Sequence, residues 1–245
     1  MNELDNENRI IELFRDVPTE KVCILYNDEE SQSIYESLAF NKDNWIDNSA
    51  KSSPPPDYLN PTEDTMLEVM RVNDTDSDMN RGESRLQQEL ANSGILELFP
   101  NAQAISCVPD VHSQSYEEYR KSFLKTIEKH NSKIGKYKAN HPDMHKIVFM
   151  ICDESEAYYE VQEHYDKCGK GRVHIWFNDI GFMKALKCIS ADTVIWFTPY
   201  KVLERDGINF PDVVVINPRL IDESKLDSYN SDQMVDATRI QRVIE

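Results

Sequence analysis

Two carboxylates are placed where two neighbouring strands are predicted, and together they could bind a metal ion. Asp57 follows a run of three prolines, and Glu68 comes after ten intervening residues, inside the apolar run of residues 66–70. Because a buried carboxylate without a partner is costly, we expect Glu68 to have a hydrogen-bonding partner or a metal ion. If the two strands pair, Asp57 and Glu68 come side by side. Paired carboxylates suit Mg²⁺ or Mn²⁺, which prefer hard oxygen ligands.

The alternative interpretation of this stretch involves no chemistry. In it, Asp57 is a turn residue after the prolines and Glu68 lies on the solvated face of an edge strand. The apolar neighbours of Glu68 on both alternating faces, Met66, Leu67, Val69 and Met70, favour burial instead.

The elements that would position the pair are predicted from hydrophobic periodicity and turn residues. A helix over residues 31–40, capped by Asp28 or Ser31, contains Glu36. Strands follow near residues 57–59 and over 65–72, separated by a turn at Asn60-Pro61. A helix over 84–93 and a strand over 103–108 come next.

This order, with Pro56-Asp57, ten residues and then Glu68-Val69-Met70, resembles the motif and core of the PD-(D/E)XK nuclease superfamily. The resemblance covers roughly residues 30–110. It implies a restriction-endonuclease-like core in which Asp57 and Glu68 are catalytic metal ligands. It also implies Glu36 as a third ligand, and Gln88 or its neighbour Gln87 as a polar residue that lines the site. The implied activity is hydrolysis of DNA phosphodiester bonds by a metal-activated water, with Mg²⁺ or Mn²⁺ as the cofactor.

Met70 departs from the family pattern, because the family has lysine at this position. That lysine positions the attacking water and stabilises developing charge, and methionine does neither. Arg71, Lys42 and Lys51 are candidate replacements, although Arg71 should point to the opposite face of the strand from Met70. Metal binding is therefore better supported than catalysis, and the active site can be a degenerate one.

The remainder of the chain predicts an α/β fold with a single mixed sheet flanked by helices. A long helix is predicted over residues 116–138, and apolar strands over 146–152, 172–177, 193–198 and 212–217 alternate with a helix over 179–189. Continuous apolar strands are typical of a sheet that is covered on both faces. We expect one domain over residues 1–245, with residues 219–245 as a peripheral tail.

Charge is distributed unevenly along the chain, whose formal net charge is −17. Residues 1–100 hold 22 acidic against 8 basic residues, whereas residues 119–146 hold 8 basic against 2 acidic residues. Lys121, Lys125, Lys129 and Lys133 recur every four residues and predict a stripe along one helix face. This stripe is either a surface that contacts DNA phosphates or simply the solvated side of the helix. The acidic first hundred residues suggest a basic protein partner.

The spacing of the cysteines and the hydropathy of the sequence indicate in which cellular compartment the protein is expected. The five cysteines are widely spaced without a Cys-x-x-Cys pair, which argues against a disulfide framework and a structural zinc site. No apolar run approaches the roughly 20 residues that a membrane span needs. We therefore expect a cytoplasmic protein that does not enter a membrane. No Gly-x-Gly-x-x-Gly or Gly-Lys-Ser/Thr motif indicates a nucleotide site.

Two other functions remain open. The chain can be a non-catalytic interaction module on a nuclease-derived fold, with Met70 as the mark of lost activity. It can also be an unrelated α/β enzyme that uses Asp153 and Glu154, with Glu156, at the end of the strand over 146–152. Ligands of open α/β sheets gather at such strand ends. The favoured interpretation of this stretch, however, is that Asp153 or Ser155 caps a short helix.

Overall fold

The computed structural model describes residues 7–49, 55–72, 116–155, 159–161, 172–199, 204–205 and 208–236. Its helices are α1 Glu7–Arg15, α2 Glu29–Phe40, α3 Tyr116–Asn131, α4 Ile134–Asn140 and α5 Ile180–Lys187. Its strands are β1 Val22–Ile24, β2 Ile46–Asp47, β3 Tyr58–Asn60, β4 Thr65–Val72, β5 Lys146–Asp153, β6 Tyr159–Val161, β7 Arg172–Val173, β8 Thr193–Phe197, β9 Glu204–Arg205, β10 Ile208–Asn209, β11 Val213–Ile216 and β12 Met234–Asp236.

Seven of these strands form one mixed sheet in the order β1–β11–β8–β5–β4–β3–β2. The pairs β1–β11, β8–β5 and β5–β4 are parallel, and the other three are antiparallel. Smaller sheets form from β9 with β10, and from β12, β6 and β7. The predicted fold class, an α/β fold with a mixed sheet flanked by helices, is confirmed.

The helices cover the two faces of the sheet in separate groups, because successive strand residues point to opposite faces. On one face, apolar side chains of α1 and α2 pack with Leu67 and Val69 of β4. On the other face, α3, α4 and α5 pack with Met66 and Met70. Glu68 lies two residues from both Met66 and Met70, so its side chain points to the same face of the sheet as theirs, the face covered by α3 and α4.

The first two helices follow the sequence pattern closely. Helix α1 buries Ile10, Ile11 and Phe14, as its apolar periodicity predicts. Asp28 caps α2, because its side chain accepts the backbone N–H of Ser31 at 3.0 Å.

The prediction of a single long helix over residues 116–138 is wrong, because the helix is interrupted at residues 132–133, between α3 and α4. The hydroxyl of Ser132 binds the carbonyl of Lys129 at 2.8 Å, and the N–H of Lys133 bonds to the carbonyl of His130 instead of continuing the α pattern. Local hydroxyl-to-backbone bonds of this kind compete with helix hydrogen bonding. The expected apolar side survives the break, since Ile134 and Tyr137 are buried.

The segment over residues 172–177 also departs from expectation. Only Arg172–Val173 is a strand, and it belongs to the small three-stranded sheet. Trp176–Asn178 turns into a short 3-10 helix that delivers Asp179 to cap α5, where its side chain accepts the N–H of Gly181 at 2.7 Å. This early turn shortens the predicted strand.

Residues 219–236, the described part of the predicted peripheral tail, contact the rest of the described structure. Ile221 and Tyr229 are buried, and β12 pairs with β6. The predicted helix over 84–93 and strand over 103–108 lie outside the described residues. No helix of the described residues combines the length and apolar character that crossing a membrane requires.

Candidate functional site

The pairing of β3 with β4 places Asp57 beside Glu68. Tyr58 is opposite Leu67 and Leu59 is opposite Met66, so the same register extended by one residue puts Asp57 opposite Glu68. Opposite residues of an antiparallel pair share one face of the sheet. The backbone N–H of Val69 donates to Oδ2 of Asp57 at 2.7 Å, which fixes the carboxylate against β4.

Side-chain amides hold the proline segment that leads into Asp57. Nδ2 of Asn48 donates to the carbonyl of Pro56 at 2.8 Å, and Nδ2 of Asn140 donates to the carbonyl of Pro55 at 3.1 Å. The backbone N–H of Asn48 also donates to the carbonyl of Asp57 at 2.7 Å. Because Asn140 is the last residue of α4, its hydrogen bond to Pro55 connects this helix to the segment that contains Asp57.

Glu68 is buried, with 5% of its surface exposed, and its two oxygens have different surroundings. The Tyr137 hydroxyl donates to Oε1 at 2.7 Å, and Nδ1 of His130 lies 2.7 Å from the same oxygen. Oε2 has no hydrogen-bond partner among the described residues. Helices α3 and α4 thus orient the carboxylate through one oxygen and leave the other without a partner.

The pKa of Asp57 is shifted by its burial and by the charged groups around it. Burial, followed by the charge of Glu68, raises the pKa of Asp57 to about 7, against the lowering effect of the Val69 N–H. The charge of Glu7 raises this pKa further, and the charge of Lys133 lowers it. Burial and the bond to Glu68 also raise the pKa of Tyr137, which keeps its hydroxyl protonated as a donor.

The donor set fits a divalent cation held by few protein ligands. Among the described residues, no group of three or more His, Cys, Asp or Glu side chains is arranged to hold a metal ion. Mg²⁺, however, is usually bound through one or two carboxylates and keeps several waters. Asp57 and the unpartnered Oε2 of Glu68 satisfy that smaller requirement.

The structure does not bring the other predicted ligand to this pair. Glu36 lies on the exposed side of α2, the helix on the opposite face of the sheet, and its Oε1 accepts Nε2 of Gln32 at 2.8 Å. Gln87 and Gln88 lie outside the described residues.

The candidate replacements for the missing lysine also lie elsewhere. Arg71 points to the face opposite Met70, as predicted, and its Nε donates to Oε1 of Glu154 at 2.6 Å. Lys42 is exposed in the 3-10 turn after α2. Lys51 is outside the described residues. Met70 itself is buried in the core, so β4 offers no cation to the pair.

The lysine stripe divides into two parts. Lys121, Lys125 and Lys129 are exposed on α3, and Lys121 forms an ion pair with Glu117 at 2.9 Å. Lys133 is half-buried in the corner between α3 and α4, where its charge acts on Asp57.

The strand-end carboxylates of the alternative site are engaged in the interior. Oδ2 of Asp153 accepts the Tyr119 hydroxyl and Nε1 of Trp196, and Oδ1 accepts the N–H of Ser155 at 3.1 Å. Glu154 pairs with Arg71, although its Oε2 has no partner among the described residues. Glu156 is outside them. These bonds make Asp153 a structural acceptor beneath α3.

A second buried acid, Asp179, has a comparable role. Its Oδ2 binds the Tyr116 hydroxyl and lies 2.7 Å from Nε2 of His174, while its Oδ1 caps α5. The group ties α3, the 3-10 turn and α5 together.

Sequence reasoning missed His130 and Tyr137 as partners of Glu68. Neither side chain is among the residues that the motif around Asp57 and Glu68 predicts for the site. A signal was present, because Phe123, His130 and Tyr137 recur at intervals of seven and therefore lie on one side of the predicted helix. A histidine on the apolar side needs a buried partner, and Glu68 is that partner.

Comparisons of the chain with protein-family models, with curated proteins and with solved structures give no match.

Proposed function

We propose that the protein is a metal-dependent, nuclease-like hydrolase in which Asp57 and Glu68 bind Mg²⁺ or Mn²⁺ and DNA is the substrate. The proposal is supported by the geometry of the site and by the resemblance of the motif around Asp57 and Glu68 to that of PD-(D/E)XK nucleases, and it includes a core like that of restriction endonucleases. The expected reaction is hydrolysis of DNA phosphodiester bonds by a metal-activated water.

The juxtaposition of two carboxylates is the observation that carries the proposal. Asp57 and Glu68 face each other across paired strands, and both are removed from bulk water to a large extent. Burial, followed by the like charge of Glu68, raises the pKa of Asp57, so the two carboxylates repel each other when both are ionised. A divalent cation between them would turn this repulsion into attraction.

Residues around the pair would orient the two carboxylates for binding a cation. His130 and Tyr137 hold Oε1 of Glu68, so that Oε2 is presented to a ligand. The Val69 N–H holds one oxygen of Asp57. A cation bound there supplies Lewis-acid activation of a water and neutralises charge on the transferring phosphoryl group.

The lysines of α3 provide the surface on which the nucleic acid would lie. Lys121, Lys125 and Lys129 are exposed, and successive members are separated by about 6 Å along the helix axis. Lysines of this kind contact phosphates without reading sequence. We therefore expect binding that weakens steeply as salt is raised.

A second candidate function is a non-catalytic module on the same fold. The observation that favours it is the burial of Met70, because β4 then supplies no cation for charge on the phosphoryl group. In this case the acidic residues of the first hundred positions would contact a basic protein partner.

A cleavage assay separates the two. End-labelled single- and double-stranded DNA is incubated with the protein in Mg²⁺ or Mn²⁺, and with excess chelator as the blank. The wild type is compared with Asp57→Asn/Glu68→Gln and with Glu36→Gln, a control that alters an exposed carboxylate on the other face of the sheet.

The proposed function predicts metal-dependent cleavage that falls at least about a hundredfold in the double variant and is unchanged in Glu36→Gln. A wild type whose products match those of the chelated blank would favour the non-catalytic module. Equal loss in both variants would show that the Asp57–Glu68 pair is not the centre of the site.

A further inference from the structure

The charges around Asp57 are unbalanced for a site that receives a phosphate. Besides the carboxylate of Asp57 itself, those of Glu68 and Glu7 act electrostatically on Asp57, which makes three negative charges in all. One divalent cation neutralises only two of them. A phosphodiester carries a negative charge of its own, so an approaching substrate would still be repelled unless a further cation is close by.

Lys133 is the lysine that occupies this corner. It lies three residues after His130 and four before Tyr137, and its backbone binds both of them: its N–H donates to the His130 carbonyl at 3.0 Å, and its carbonyl accepts the Tyr137 N–H at 3.1 Å. Both neighbours bind Glu68. The segment between α3 and α4 therefore connects the two residues that bind Glu68, and Lys133 lies within it.

Lys133 differs in its surroundings from the lysines of α3 and from Arg71. Lys121, Lys125 and Lys129 are exposed on α3, whereas Lys133 is half-buried and its charge acts on Asp57. Arg71 is on the other face of the sheet and is paired with Glu154. Among the described residues, no salt bridge joins Lys133 to an acidic side chain.

We propose that Lys133 forms an anion subsite beside the Asp57–Glu68 pair, in which its ammonium group binds a non-bridging oxygen of the phosphodiester that lies against the bound cation. The inference rests on the proposed function, since it takes Asp57 and Glu68 as the cation's ligands. The subsite selects phosphodiesters by charge and not by base.

The consequence for the reaction is electrostatic. When the oxygen of water forms its bond to phosphorus and the bond to the leaving oxygen breaks, negative charge grows on the non-bridging oxygens. A fixed ammonium group at those oxygens stabilises that charge more than it stabilises the bound substrate. Lys133 thus supplies from the α3–α4 corner a positive charge that Met70 cannot supply from β4.

The experiment measures phosphate binding and needs no turnover. The dinucleotide thymidylyl-thymidine, a simple phosphodiester, is titrated into protein loaded with Mn²⁺, and broadening of its ³¹P resonance reports proximity to the ion. The variants are Lys133→Gln, Lys133→Arg and the matched control Lys138→Gln, which removes an exposed lysine of α4. Mn²⁺ affinity of each variant is measured separately by electron paramagnetic resonance, and circular dichroism confirms folding.

The inference predicts that Lys133→Gln raises the Kd for the dinucleotide at least about tenfold, as expected from loss of a charge-assisted hydrogen bond. Lys133→Arg and Lys138→Gln should change it less than about threefold, and none of the three should weaken Mn²⁺ binding. The same result for Lys133→Gln and Lys138→Gln, or no broadening in the wild type, would overturn the inference.

The two proposals fail in different ways. Lys133-dependent binding of the dinucleotide without any DNA cleavage would support the subsite while contradicting hydrolysis. Cleavage that depends on Asp57 and Glu68 but leaves Lys133→Gln fully active and fully able to bind the dinucleotide would contradict the subsite alone.

Discussion

At the scale of single residues, the raised pKa of Asp57 links the geometry of the site to the stability of the fold. Its carboxyl group is partly buried and lies opposite Glu68, and its pKa rises from the ordinary value of 3.8 to about 7. A pKa that differs between the folded and unfolded states makes stability depend on pH. In the absence of metal, Asp57 should therefore weaken the fold as it ionises.

The expected pH dependence has a definite sign. Below pH 3.8 Asp57 is protonated in both states, and between pH 3.8 and about 7 only the folded state retains the proton. The contribution of Asp57 to the free energy of unfolding is therefore lost as pH rises through this window, at up to about 1.4 kcal/mol per pH unit. Asp57→Asn should flatten the curve obtained by urea denaturation in chelator between pH 4 and pH 7.

The exposed Asp43, changed to Asn, is the control for this prediction and should leave the slope as it is in the wild type. Glu68, Glu7 and Lys133 also face Asp57 and remain in place in both variants. An Asp57→Asn protein with the full wild-type slope would show that another group causes the pH dependence.

The sequence predicted the carboxylate pair because strand register follows from alternation and from a short turn. Asp57 and Glu68 are separated by ten residues with a turn at Asn60-Pro61, which is a local problem. The bonds from His130 and Tyr137 cross 62 and 69 positions of sequence. Local periodicity puts both side chains on the apolar side of the helix but does not identify Glu68 as their partner.

At the scale of elements, β4 is joined to the turn after β5 by an ion pair on the face opposite Glu68. Arg71 reaches Glu154 directly after β5, and the side chain of Glu154 is only 1% exposed. Removing one partner of a buried pair leaves an uncompensated charge, which is more damaging than the net strength of the pair suggests. Arg71 therefore stabilises the fold and has no part in the metal site.

Arg71→Met should lower the free energy of unfolding by about 2–3 kcal/mol, less than for a fully buried pair because Arg71 is 24% exposed. Arg9→Met, which breaks the exposed pair with Glu12, should change it by at most about 0.5 kcal/mol. Chemical denaturation measures both. A loss for Arg71→Met as small as that for Arg9→Met would contradict the structural role.

Elements were predicted well where periodicity was long and poorly where a local bond interrupts it. Helices α1, α2 and α5 and strand β4 appear where the pattern places them. The break at Ser132–Lys133 depends on one hydroxyl, and the early turn after Val173 depends on Asp179 and His174. Such breaks arise from individual hydrogen bonds that a hydrophobic pattern does not report.

At the scale of the whole molecule, the order of strands could not be read from the chain. The first strand, β1, pairs with β11, which comes almost two hundred residues later, and β5 lies at the centre of the sheet. A continuous apolar run predicts that β5 is buried, but pairing partners far apart in sequence are chosen by the packing of the entire domain. The fold class was therefore predictable, whereas the topology was not.

This topology predicts how stability varies across the sheet. Strands β5 and β8 lie next to each other, each with a further strand on its other edge, and the residues from Ile147 to Asp153 are all buried. Strand β2, at the edge, exposes both of its residues. Amide hydrogen exchange should be slowest in β5 and β8, near the global free energy of unfolding, and fast in β2. Equal protection of β2 and β5 would contradict the observed sheet order.

The central claim concerns the whole site and is tested most directly by calorimetric titration. Mn²⁺ and Mg²⁺ are titrated into the wild type, Asp57→Ala/Glu68→Ala and Glu36→Ala, after each protein has been shown to be folded. We predict binding of one ion by the wild type and by Glu36→Ala, and no binding by the double variant. The same binding heats in the wild type and the double variant would contradict a metal site at Asp57 and Glu68.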